Sequence, residues 1–133
     1  MDVAMVRVAE RCLRAAEDGS MNFPQIVGAL IAAGFESYAV DYRRGTATYY
    51  RPDGRSVELA MRAPDGAVAA GFDMAAIQAA IRAAQADGPA YSYDWFCRTV
   101  MAAGCAGYLV SFLGRRAVYF GRTGESWVER FPE

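Results

Sequence analysis

The spacing of apolar residues changes along the first half of the chain from a helical period to the period of a β-strand. Between residues 3 and 17, apolar side chains recur every three or four positions, which is typical of one face of an amphipathic helix. A second helix is predicted to begin at Asn22, a good capping residue, and to end at Gly34. Apolar and polar residues then alternate over residues 38–42, which predicts a half-buried strand.

Turn residues divide the rest of this half into short strands. Gly45 marks the first turn, and the sequence PDG at residues 52–54 marks the second. Residues 46–51 and 57–61 are therefore predicted to be strands, and the short turns between them favour antiparallel hairpins. The first half is predicted to fold as helix, helix, strand, strand, strand.

The second half repeats this pattern at an offset of 70 residues. Without gaps, residues 23–59 align with residues 93–129, and nine of the 37 aligned pairs are identical. Two of the identical pairs are tyrosines, Tyr38 with Tyr108 and Tyr49 with Tyr119. We interpret the match as an internal duplication, with pseudo-repeats over residues 1–63 and 70–133.

The prediction for the whole chain, residues 1–133, is a single α+β domain. Each unit of about 65 residues contributes two helices and three antiparallel strands, with the helices packed on the apolar face of the sheet. A unit of that size is marginally stable alone, which favours two units packed together. The sequence leaves open whether the two units share one sheet or face each other.

The composition excludes several classes of function. Among the 133 residues there is no histidine, and all 14 basic residues are arginine. A histidine general base, a histidine-containing zinc site, a Schiff-base lysine and a P-loop lysine are therefore excluded. The net charge of −1 and the lack of a basic stripe argue against a nucleic-acid partner. We expect no cofactor and no metal.

The cysteines indicate the compartment rather than a reaction. Cys12, Cys97 and Cys105 are odd in number and form no CxxC motif, which favours a reducing, cytoplasmic environment. Cys12 lies on the apolar stripe of the first helix, and the repeat aligns the other two with the apolar Val27 and Phe35. We therefore expect buried thiols. No apolar segment reaches the roughly 20 residues needed to cross a bilayer, so we expect no membrane partner.

Four tyrosines on the predicted strands form the first candidate site. Tyr38, Tyr49, Tyr108 and Tyr119 belong to an aromatic set that cross-strand packing explains by itself. The same side chains offer a rigid, amphipathic platform for a small ligand or peptide, and the duplication would then supply two related half-sites. Both interpretations stay open.

A glycine-flanked turn in the second half supplies the other candidate. Arg122 stands in the sequence GRTG at residues 121–124, and Glu129 follows it. Exposed backbone N–H groups and a free guanidinium suit a carboxylate or phosphate ligand. The alternative is an internal ion pair of Arg122 with Glu129 or Glu58 that braces a hairpin.

Five short motifs carry a resemblance that covers nearly the whole chain. They are GFESY at residues 34–38, YYRPDG at residues 49–54, AGCAGY at residues 103–108, YFGRTG at residues 119–124 and VERFP at residues 128–132. With these motifs the chain resembles the small bacterial and prophage proteins typified by YdfO and YbcV. That is a family of unknown function, some of whose members carry the label of phage envelope protein. The resemblance implies a family and supplies no reaction.

The observations favour a non-enzymatic binding or interaction module whose partner is an unidentified protein or small molecule. The missing catalytic side chains, the repeated architecture and the aromatic strands support this hypothesis. One alternative is a small histidine-free enzyme that uses tyrosine, arginine and carboxylate groups. Another is a homo-oligomeric structural protein, such as a homodimer that covers exposed sheet edges.

Overall fold

A computed structural model describes residues 1–62 and 64–132. Within them the chain forms four helices and a six-stranded antiparallel sheet, which confirms the predicted α+β fold. The last residues of the two predicted repeats, Ala63 and Glu133, lie outside the described residues. In chain order the elements are α1 (Val3–Asp18), α2 (Phe23–Ala33), β1 (Ser37–Asp41), β2 (Thr46–Tyr50), β3 (Ser56–Ala60), α3 (Met74–Ala86), α4 (Tyr93–Ala102), β4 (Cys105–Ser111), β5 (Arg116–Gly121) and β6 (Ser126–Arg130).

Side-chain caps explain where helices α2 and α4 begin. As predicted, Asn22 caps α2 by accepting a hydrogen bond from the N–H of Gln25, and the Gln25 side chain accepts one from the N–H of Asn22. This reciprocal pair is a capping box. At α4, the Ser92 hydroxyl accepts a hydrogen bond from the N–H of Trp95 at 3.0 Å. In each helix pair, a side-chain cap therefore marks the start of the second helix.

The helix ends depend on residues that accept a left-handed backbone. Gly34 ends α2 as predicted, with a φ of 101° that favours glycine. Helix α3 ends at an aspartate instead. Asp87 already adopts the left-handed conformation, with a φ of 47°, and its N–H donates to the Ala83 carbonyl oxygen. Aspartate tolerates this conformation better than most side chains, so the helix ends there.

The two halves share one sheet, which answers the question that the sequence left open. The strand order is β3-β2-β1-β4-β5-β6, and each neighbouring pair is antiparallel. Strands β1 and β4 lie side by side at the centre with Ala39 opposite Leu109, so each half extends outward from this pair. Residues that the 70-residue offset aligns, such as Tyr38 and Tyr108, consequently lie on either side of the β1–β4 junction.

The helices cover one face of the sheet. Helix α1 packs against α2, α3 packs against α4, and α4 also contacts α1 and β4. Alternate positions of the strands face this layer and join a hydrophobic core with residues from both halves. The remaining positions, such as Leu109 and Val128, are exposed on the other face.

The connection between the halves is a packed linker. None of the described residues among 62–72 forms a strand. The N–H of Ala69 donates to the Met101 carbonyl oxygen at 3.0 Å. Gly104 permits the close approach of Gly71 in the linker, because a Cβ at position 104 would overlap the carbonyl oxygen of Gly71. The second half therefore holds the linker at the end of α4.

Candidate ligand-binding cavity

A cavity of about 420 Å³ lies between the helices and the sheet. Helices α1 and α3 contribute apolar walls that include Leu13 and Ile81, and strands β1, β2, β4, β5 and β6 contribute the floor. The rim reaches exposed residues of the loops that join the helices of each pair, such as Asn22 and Asp87. The cavity follows from the amphipathic helices, since their apolar faces point toward the sheet and leave this space above its centre.

Four tyrosines cross the floor of the cavity, and we name them the tyrosine row: Tyr49, Tyr38, Tyr108 and Tyr119. Tyr38 lies opposite Tyr49 in the β1–β2 pair, and their ring centroids are 5.5 Å apart. Tyr108 lies opposite Tyr119 in the β4–β5 pair, and their ring centroids are 5.2 Å apart. The rings of Tyr38 and Tyr108 approach across the central junction, with centroids 6.3 Å apart. The structure thus brings together all four tyrosines that the sequence singled out.

The hydroxyl groups of the row differ in their hydrogen-bond partners. The Tyr108 hydroxyl lies 2.6 Å from the hydroxyl of Tyr93, at the start of α4, and the two share a hydrogen bond. The Tyr38 hydroxyl has no protein partner within residues 1–62 and 64–132, and neither do the hydroxyls of Tyr49 and Tyr119, which are only 3% and 8% exposed. These three groups are therefore free to bond to water or to a ligand.

Burial keeps the hydroxyls of the row protonated. Desolvation raises the pKa of Tyr38 and of Tyr108 well above the ordinary value of 10.0. Desolvation also raises the pKa of Tyr49 and of Tyr119. At neutral pH the row therefore presents uncharged O–H groups that can donate or accept hydrogen bonds.

Glu129 on β6 lies at one edge of the cavity. Its carboxylate pairs with Arg82 of α3 and accepts hydrogen bonds from Gln85 Nε2 and Trp127 Nε1, each at 3.1 Å. Partial burial acts to raise the pKa of Glu129, but the hydrogen bonds from Arg82, Trp127 and Gln85 outweigh burial and hold that pKa below its ordinary value. The carboxylate is therefore ionised and engaged by three donors at neutral pH.

Arg122 lies in the turn between β5 and β6, apart from the residues that line the cavity. Its Nη1 donates a hydrogen bond to the Val68 carbonyl oxygen of the linker at 3.1 Å. The predicted ion pairs of Arg122 with Glu129 or Glu58 are wrong, because each of those carboxylates pairs with another arginine. A role for Arg122 as a ligand contact stays a prediction. In the structure its guanidinium is hydrogen-bonded to the linker.

Aromatic residues that the sequence analysis did not single out complete the cavity. Tyr91 and Tyr93 line it beside the capped start of α4. At the rim, the rings of Phe23 and Phe131 meet edge to face, with centroids 5.6 Å apart. The sequence contained one indication of Phe23 and Tyr93, because the 70-residue offset aligns them. Each is the first residue of the second helix in its pair. Phe131 follows β6 and lies beyond residues 93–129, the aligned part of the second half.

The cysteines are buried free thiols, as the sequence predicted. Burial raises the pKa of the Cys97 thiol and of the Cys105 thiol to about 11 each. The Tyr42 hydroxyl donates to Cys97 Sγ at 3.5 Å. Because nucleophilic cysteines need a lowered pKa and access to solvent, these thiols are not suited to that chemistry. Among the described side chains, no cluster is arranged to hold a metal ion.

Comparison with known proteins places the chain in a family. The model of the family described as "Protein of unknown function (DUF1398)" matches residues 10–129, most of the chain. The chain belongs to the DUF1398 family. No curated protein matches this DUF1398 chain. In its described ranges, none of the helices has the length and apolar character needed to cross a membrane. The description of the DUF1398 family names no activity.

Proposed function

We propose that this DUF1398 protein binds a small, largely apolar ligand in the cavity between its helices and its sheet. The observation that carries the proposal is the position of the tyrosine row and of Glu129 around one cavity. Its volume of about 420 Å³ lies within the range of roughly 300–1,000 Å³ that is typical of ligand sites. Apolar walls with a few fixed polar groups are also typical of such sites.

The chemistry of the cavity supports binding more than catalysis. A general acid or base works best with a pKa near the working pH. Burial raises the pKa of each tyrosine in the row and of the Cys12 thiol, which also lines the cavity. The carboxylate of Glu129 is engaged by Arg82. Non-enzymatic binding is therefore the function we propose, in preference to the histidine-free enzyme.

An internal duplication is part of the same proposal. Both halves have the same order of elements, and the aligned pairs Tyr38 with Tyr108 and Tyr49 with Tyr119 lie at related positions around the β1–β4 junction. Under this proposal the cavity consists of two related half-sites. The resemblance to the YdfO/YbcV-like prophage proteins, and a cytoplasmic location inferred from three free thiols, belong to the proposal as well.

Binding of diphenylhexatriene, an uncharged fluorescent hydrocarbon, tests the proposed site. The test variant is Ala84→Trp, at a position that lines the cavity from α3. Its matched control is Ala79→Trp, at an exposed position of the same helix that does not line the cavity. The unaltered protein and Ala79→Trp are expected to bind the probe equally well. Ala84→Trp is expected to weaken binding at least about tenfold, because the indole ring occupies the ligand volume.

Native mass spectrometry of protein purified without refolding provides a second readout. A retained mass that is present in Ala79→Trp and lost in Ala84→Trp supports the proposal and gives the mass of the natural ligand. Circular dichroism checks that both variants are folded. The proposal fails if the unaltered protein does not bind the probe, or if the two folded variants bind it equally.

A further inference from the structure

The charged groups around the cavity leave its interior without a free charge. Among the described lining residues the charged ones are Asp87, Glu129 and Arg130. Asp87 is exposed at the end of α3, and Glu129 is paired with Arg82. Arg130 follows Glu129 on β6, so strand alternation directs its side chain to the opposite face of the sheet. A charged ligand group inside the cavity would meet no free opposite charge.

The tyrosine row places a hydrogen-bonding group at each end of the cavity floor. Tyr49 lies on β2 and Tyr119 on β5, which are three strand intervals apart in the sheet. At about 4.8 Å per interval, the two ends of the row are separated by roughly 14 Å. The hydroxyls at these ends have no protein partner in the described ranges, and neither does that of Tyr38, which lies between them in the row. Between them, the Tyr108 hydroxyl is already bonded to Tyr93, and its ring packs against Phe96.

We propose that the ligand is an elongated, uncharged amphiphile whose hydroxyl or carbonyl groups bond to the hydroxyls of Tyr49 and Tyr119. This inference rests on the proposed function and narrows its ligand class. A carboxylate or ammonium group would lose its hydration on entering the cavity and find no free ion partner there. A neutral hydroxyl or carbonyl loses less hydration and regains a hydrogen bond from a tyrosine that has none.

Displacement of diphenylhexatriene by decanol and by decanoate separates the two ligand classes, because the competitors have the same chain length and differ in charge. Decanol is expected to displace the probe at a concentration at least about tenfold lower than decanoate. The variants Tyr49→Phe and Tyr119→Phe are each expected to weaken 1,10-decanediol, which carries a hydroxyl at either end, about three- to tenfold. Their affinity for the probe is expected to stay unchanged, since this hydrocarbon forms no hydrogen bonds. Tyr50→Phe, at an exposed position outside the cavity lining, is the matched control.

The outcomes distinguish this inference from the proposed function. Displacement by decanoate that equals or exceeds displacement by decanol overturns the uncharged ligand, while the bound probe still supports a binding cavity. Affinity for 1,10-decanediol that is the same in both Tyr→Phe variants as in Tyr50→Phe overturns the assigned hydroxyls. If the unaltered protein does not bind diphenylhexatriene at all, the proposed function and this inference both fail.

Discussion

Tyr38 and Tyr108 are 70 residues apart in the chain, yet their rings meet at the junction of its two halves with centroids 6.3 Å apart. Each lies on the innermost strand of its half, and each has the outer tyrosine of that half as its cross-strand partner. The row is therefore continuous across the junction. Packing within a half and packing between the halves depend on the same rings.

Removal of the Tyr108 side chain is expected to destabilise the whole fold. Tyr108→Ala should lower the free energy of unfolding by about 3–5 kcal/mol, because the ring packs against Tyr38, Tyr119 and Phe96 in the core. Tyr108→Phe keeps the ring and loses the hydrogen bond to Tyr93, which should cost about 1 kcal/mol. Chemical denaturation measures both values. An equal loss in the two variants would show that the hydroxyl, and not the ring, carries the stability.

Two glycine variants separate backbone strain from the packing of the linker. Gly54 and Gly104 have similar φ values of 88° and 96°, so alanine is strained at both, by about 1–2 kcal/mol. No atom lies within 4 Å of a Cβ added at Gly54, whereas at Gly104 the Cβ overlaps Gly71. Gly104→Ala is therefore expected to cost about 1–3 kcal/mol more than Gly54→Ala in thermal unfolding. Equal costs would mean that the linker moves aside without resistance.

Arg122→Ala separates two hypotheses about the turn between β5 and β6. The structure bonds this guanidinium to the Val68 carbonyl oxygen, away from the cavity. Diphenylhexatriene affinity is therefore expected to stay within about twofold of the unaltered protein, and the free energy of unfolding to fall by about 0.5–1.5 kcal/mol. A role for Arg122 as a ligand contact predicts a loss of about tenfold or more in affinity. A fluorescence titration of the folded variant decides between them.

Local patterns in the sequence account for the elements and for the tyrosine row. The period of the apolar residues predicts the helices and strands, and capping residues such as Asn22 predict where helices start. The offset of 70 residues places Tyr49 and Tyr119 at equivalent positions. The predicted helices, strands and α2 cap are confirmed because each depends on residues that are close in sequence, whereas the duplication behind the constant spacing stays a prediction.

Contacts between distant elements could not be predicted in the same way. Arg82 and Glu129 are 47 residues apart on α3 and β6, and no local pattern distinguishes Arg82 from the other arginines. Arg122 bonds to the backbone of Val68, and a carbonyl group is common to all residues. The cavity depends on how the two helix pairs pack against the sheet. That packing depends on side-chain volumes from both halves together.

The buried tyrosines are expected to make the fold sensitive to alkaline pH. Desolvation raises the pKa of Tyr38, Tyr108 and Tyr119 above the ordinary value of 10.0, which applies to the unfolded chain. Because the folded-state pKa is the higher one, the stabilising contribution of these hydroxyls is complete below pH 10. It is lost as the pH rises above that value toward the folded-state pKa.

Tyrosinate absorbance and circular dichroism, followed together as the pH is raised, test this expectation. The tyrosinate signal of the row should appear together with the loss of folded structure, since ionising a buried hydroxyl in the folded state is the more costly route. Tyr119→Phe removes one of these groups and should make the loss of stability above pH 10 less steep. If the row ionises near pH 10 while the folded signal is intact, its hydroxyls are solvated. Decanol would then gain little from bonding to Tyr49 or Tyr119, because it would have to displace water that already satisfies them.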